Sequence, residues 1–102
     1  MEFRITGKHL DVTDAIRDFA QKKTERLQRY FDRIRDIEVL IDKHEHREVE
    51  VEMIVHVEGA NPFIVTVDSP DLYAAIDECV DKLERQLTDH KEKIRNRKHL
   101  VS

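Results

Sequence analysis

The stretch from Pro70 to Lys98, PDLYAAIDECVDKLERQLTDHKEKIRNRK, does most to limit what this chain can become. Leu72, Ala75, Ile76, Cys79, Val80, Leu83, Leu87 and Ile94 recur every three or four residues, which lays one apolar stripe along a long helix. Such a stripe has to be covered, so the rest of the chain must supply a surface for it. Ser69 and Pro70 mark the expected start: a hydroxyl able to cap free N–H groups, then proline at the first helical position. A second stripe of Lys82, Arg85, Gln86, Asp89 and Lys93 lies roughly a right angle round the helix from the first. The helix can hold a core with one side and offer cations with another.

The covering surface is legible upstream. Residues 1–7 alternate, with Phe3 and Ile5 against Arg4 and Thr6, and predict a short strand. Thr13 is a cap candidate for a first helix from Asp14 to Tyr30, with Asp14 in the first turn, where the helix dipole favours an acid. Its apolar face is Ile16, Phe19, Ala20, Lys23, Leu27, Tyr30 and Ile34, and its flank is a basic stripe of Lys22, Arg26, Arg29 and Arg33. Residues 35–43 and 49–57 alternate again and are joined by the polar HEHRE, which predicts a hairpin. Gly59, Ala60 and Asn61 turn into a fourth strand over 63–67.

The order β-α-β-β-β-α predicts an α+β fold, a four-stranded sheet with both helices packed on one face, as in double-stranded RNA-binding domains. Strands one and two, joined through a helix, are expected to pair in parallel, and the other sheet face is left to water. One domain is expected over residues 1–95, with 96–102 a short, polar, frayed tail.

Composition excludes several classes of function. No run reaches the roughly 18 apolar residues of a membrane span, and no signal peptide opens the chain, so no membrane partner and a cytoplasmic location are expected. The single cysteine, Cys79, falls in an apolar stripe and reads as a buried, inert thiol. His44 and His46 flank Glu45, but zinc needs three or four rigidly held ligands, so no metal is expected there. Carboxylate neighbours such as Asp77/Glu78 and Glu50/Glu52 are inevitable among 22 acids. Gly7 and Gly59 are the only glycines, too few for a phosphate-cradling loop. Neither an enzyme nor a bound cofactor is expected.

A net charge of −4 conceals a polarity. Residues 15–35 and 82–98 each carry seven Lys/Arg against three Asp/Glu, whereas residues 36–81 carry two against thirteen. Two basic helix flanks beside one groove suit phosphates on two sides of a nucleic-acid backbone. Arg26, Arg29 and Arg85 can bind phosphate bidentately, with Lys22 and Lys82 as mobile point charges. The strand faces lack stacking aromatics, so structured RNA is a better partner than a single strand, and DNA is not expected.

Several stretches carry a family resemblance: ITG at 5–7, YFDRI at 30–34, DLYAAID at 71–77, DKLERQL at 81–87 and HK at 90–91. In order and spacing they resemble the ribosome hibernation promoting factors, a family that includes the ribosome-associated inhibitor protein Y. The resemblance implies a stress or stationary-phase factor that binds the small ribosomal subunit where tRNA and mRNA sit, contacts its rRNA and blocks translation without catalysis. It carries rRNA contacts onto Lys22, Lys23, Arg26 and Arg29 in the first helix, and onto Lys82, Arg85, Gln86, Lys91 and Lys93 in the second. The chain resembles the short form, expected to be monomeric when free, and its brief end, NRKHLVS, points to the members that favour paired, inactive ribosomes. Asp89 departs from a purely basic stripe and would repel phosphate unless turned aside or bonded to Lys93 or Lys82. A competing reading is a protein-interaction module that meets a basic partner through Glu50, Glu52 and Glu58 on the sheet.

Overall fold

The computed structural model describes the backbone of residues 1–45 and 48–101 and the side chains of residues 1–45 and 48–95. The elements follow the expected order: β1 (Glu2–Lys8), α1 (Asp14–Tyr30), β2 (Ile34–Lys43), β3 (Val49–Val57), β4 (Phe63–Ser69) and α2 (Leu72–Val101). The sheet is ordered β1-β2-β3-β4, with β1 parallel to β2 and the remaining pairs antiparallel. The α+β architecture read from the sequence is the one observed.

Alternation decides the faces. Ile37, Val39 and Ile41 of β2, Val49, Val51, Met53, Val55 and Val57 of β3, and Val65 and Val67 of β4 are buried on the inner face. Onto them α2 lowers Ala75, Ile76, Cys79, Val80, Leu83 and Leu87, and α1 adds Ile16, Ala20 and Leu27. α2 lies against β3 and β4, while α1 leans on α2 and on β2.

Gly7 stands where the connection from β1 to α1 folds back over the strand. A Cβ there would collide with the carbonyl oxygen of Leu10 and sit 2.9 Å from a Val12 methyl, so the close approach itself requires glycine. Gly59, at φ +76°, supplies the left-handed residue of the β3–β4 turn.

Packing also revises several boundaries. α2 starts at Leu72, not at Pro70: Asp71 is the cap, its Oδ1 accepting from the N–H groups of Tyr73 (3.0 Å) and Ala74 (3.3 Å). Ser69 Oγ instead accepts from the Asp71 N–H at 3.1 Å and shapes the approach to the cap. At the other end the α2 backbone stays helical through Val101, past the expected start of a frayed tail. Thr13 caps α1 as expected, its Oγ1 accepting from the Ile16 N–H at 3.2 Å. Arg33 and Ile34 leave the helical pattern, because α1 ends at Tyr30 and Ile34 opens β2. Tyr30, placed on the apolar face by spacing alone, is 45% exposed, whereas Thr24, polar and overlooked, is fully buried. The hydroxyl of Thr24 is satisfied within the helix, donating to the Gln21 carbonyl at 3.0 Å.

Candidate nucleic-acid interface on the helices

The two helices run in the same direction, since contacts between them climb together: Lys23 with Asp77, Arg26 with Asp81 and Glu84, then Tyr30 with Lys91. The seam is therefore an ion-pair ladder. Lys23 Nζ lies 3.2 Å from Asp77, and Arg26 Nη2 lies 2.8 Å from Asp81 and 3.1 Å from Glu84. The hydrogen bond to Asp81, then the nearby charges of Glu84, Asp81 and Asp77, raise the Arg26 pKa against the opposing effect of desolvation. Lys91 Nζ donates to the Tyr30 carbonyl at 3.2 Å and so closes the C-terminal turn of α1.

This geometry alters the sequence picture of a groove lined by cations from both helices. α1 does turn its basic flank toward α2, but α2 answers with acids. Lys82, Gln86 and Lys93 lie about 130–170° round α2 from that acidic flank, on the side away from α1. Lys82 there pairs with Glu78 one turn earlier, at 3.8 Å. Among the described residues Asp89 makes no ion pair with Lys82 or Lys93 and is exposed.

On the crests of the helices, Lys22 and Arg29 of α1 and Arg85 of α2 are left to solvent, all exposed and without an ion pair among the described residues. With Lys93 on the outer flank they stand open above the helices, interleaved with exposed acids such as Asp18, Glu25, Asp89 and Glu92. Arg29 also sits in the last turn of α1, where the helix dipole favours a cation. Two exposed tyrosines stand beside the seam. Tyr73, 42% exposed, meets Phe19 edge-on at 4.9 Å, with Lys23 over the Phe19 ring at 5.5 Å; Tyr30 is open at the other end. Tyr30 matched the apolar spacing of α1, so only packing could reveal it as exposed, whereas Tyr73 lay outside the α2 stripe.

The family model described as sigma 54 modulation protein / S30EA ribosomal protein matches residues 3–95. The chain belongs to this family. A curated relative from Azotobacter vinelandii, ribosome hibernation promoting factor, is 44% identical over 93 residues, covering 91% of this chain and 85% of its own length. Among solved structures, the N-terminal domain of protein Y from Thermus thermophilus superposes with a TM-score of 0.76 at 37% identity, covering 86% of this chain and 94% of that one. A ribosomal subunit interface protein from Coxiella burnetii gives 0.82 at 28% identity, covering 90% and 99%. The family recognised in the motifs is thus the one found.

The opposite sheet face of this family member has its own pattern. Arg4 Nη2 lies 3.1 Å from Glu38 and 3.7 Å from Asp36, which His56 approaches at the same 3.7 Å. Glu52 accepts from the Thr66 hydroxyl at 3.4 Å, and Ile54 pairs with Ile64 across the strands. Glu58, expected on this face, lies beyond the end of β3, where its N–H donates to the Arg33 carbonyl. His44 is brought to Glu50 and Asp68, a grouping that its spacing from His46 did not suggest; His46 lies outside the described residues. No described helix is long and apolar enough to cross a membrane.

Proposed function

We propose that this chain is a cytoplasmic ribosome hibernation factor that lays its helical face on the rRNA of the small subunit. There it occupies the region used by tRNA and mRNA and stops translation under stress or in stationary phase. It acts by occupancy rather than catalysis, is monomeric when free, and favours the paired, inactive ribosome. The observation that carries the reading is the exposed set Lys22, Arg29, Arg85 and Lys93 on one side of a molecule whose sheet face is largely acidic. That polarity orients the helices toward phosphate and the sheet away from it. The names of the relatives support the ribosome as the target. Lys82 and Gln86 extend the contact along the outer flank of α2; Lys23, Arg26 and Lys91 brace the helices beneath it.

The test is co-sedimentation with purified small subunits across a salt series. About five phosphate contacts predict an affinity loss on the order of 10²–10³-fold between 50 and 200 mM salt. Lys82→Glu/Arg85→Glu weakens binding at every salt while leaving the circular dichroism spectrum unchanged. Binding that ignores both salt and this double change would sink the assignment. Gradient profiles of ribosomes incubated with the protein test the pairing activity, which requires a rise in paired particles.

A further inference from the structure

At one end of the outer sheet face, register puts three carboxylates in a row. Asp42 of β2 stands opposite Glu50 of β3, and Glu50 opposite Asp68 of β4. Like charges directly opposed on adjacent strands repel, so the arrangement costs stability unless a cation lies among them. Asp42 has His9, whose Nδ1 is 3.1 Å from its Oδ1, and Lys8 opposite it on β1. Glu50 is met by the His44 imidazole, with Nε2 3.5 Å from its Oε2. One ligand atom from each of His44, Glu50 and Asp68 can be chosen so that all lie within 4.8 Å of one another. The backbone of His44 is fixed too, its N–H donating to the Glu48 carbonyl at 3.0 Å across the turn.

We propose that His44, Glu50 and Asp68 bind a divalent transition-metal ion of the zinc class. The donor set is one imidazole nitrogen and two carboxylates. Magnesium and calcium favour all-oxygen cages, whereas zinc accepts nitrogen and oxygen together. Two ligand atoms about 2.0–2.1 Å from a tetrahedral ion stand about 3.3 Å apart, close to the His44–Glu50 separation already present. Glu50 and Asp68 come from paired strands, so only side-chain rotation is needed to bring the third ligand in. The ion fastens the turn after β2 to edge strand β4 and offsets the repulsion between the two acids. Its fourth position faces solvent and holds water. The in-turn pair His44 and His46 offered no third ligand by sequence; strand pairing supplies two. The site lies on the sheet face away from the helices, so it stands or falls independently of the ribosome reading.

The experiment titrates the metal-free full chain with Zn²⁺ against a chromogenic chelator, beside His44→Ala, Asp68→Asn and His9→Ala. One Zn²⁺ per chain is expected, weakened more than about tenfold by His44→Ala and by Asp68→Asn but not by His9→Ala. Co²⁺ in place of Zn²⁺ should give the intense visible bands of a four-coordinate site, lost in the same two variants. Zn²⁺ should also raise the melting midpoint of the parent chain and leave that of Asp68→Asn unmoved. Circular dichroism checks that each variant is folded. Absence of binding at micromolar Zn²⁺, equal competition by Mg²⁺, retention in Asp68→Asn, or loss in His9→Ala would each overturn the site.

Discussion

Cys79 shows how a single side chain can be settled by its surroundings. It is fully buried between α2 and the sheet, and its Sγ donates to the Val51 carbonyl at 3.4 Å. Burial, which disfavours the thiolate, pushes its pKa up from 9.0 to about 12. Between those values the unfolded chain gives up this proton and the folded chain keeps it. The contribution is therefore intact below pH 9 and is lost as pH rises toward 12, at up to about 1.4 kcal/mol per pH unit. Urea unfolding of the parent and Cys79→Ala from pH 8 to 10.5 should show the parent losing more stability above pH 9. Parallel curves would mean that the thiol ionises in place. The inert character of this residue was readable from its place in the apolar stripe. The role of Lys91 was not, because a lysine at that spacing looks like any exposed cation until the end of α1 arrives beside it.

At the scale of elements, helix boundaries turn on which side chain reaches the free N–H groups. Both Ser69 and Asp71 are good cap residues by type, and Pro70 between them made an earlier start plausible. The strand wins the contest: β4 pairs with β3 as far as Ser69, so the helix has to begin after it. Asp71→Ala should cost about 0.5–2 kcal/mol, because two backbone donors lose their acceptor. Ser69→Ala, which removes one bond ahead of the cap, should cost less. Chemical denaturation of both variants decides the order, and a larger loss from Ser69→Ala would restore the earlier start. The strands and their inner faces were legible because alternation has a period of two and a one-residue slip exposes every valine. Which flank of α2 faces α1 was not legible. Periodicity fixes positions round one helix but says nothing about where its neighbour lies.

At the scale of the whole molecule, that missing orientation separates cations that brace the fold from cations free to bind. Arg26 is the clearest of the first kind: two carboxylates already hold its guanidinium, and its Nε is buried. Arg29 and Arg85 stand one or two turns away with nothing to release before meeting a phosphate. If the exposed crest is the RNA surface, Arg29→Ala and Arg85→Ala should each lower the slope of log affinity against log salt by about one. Arg26→Ala should change the slope much less. It should also loosen the seam, though exposed ion pairs of this kind contribute only about 0.2–1 kcal/mol. Co-sedimentation at four or five salt concentrations separates these effects. An Arg26→Ala slope change as large as that of Arg29→Ala would mean that RNA draws Arg26 out of its pairs with Asp81 and Glu84. In that case Asp81→Asn/Glu84→Gln, which frees the guanidinium beforehand, should tighten binding. If the crest alone binds, Arg26 stays where it is, and that double change acts only through the general loss of negative charge.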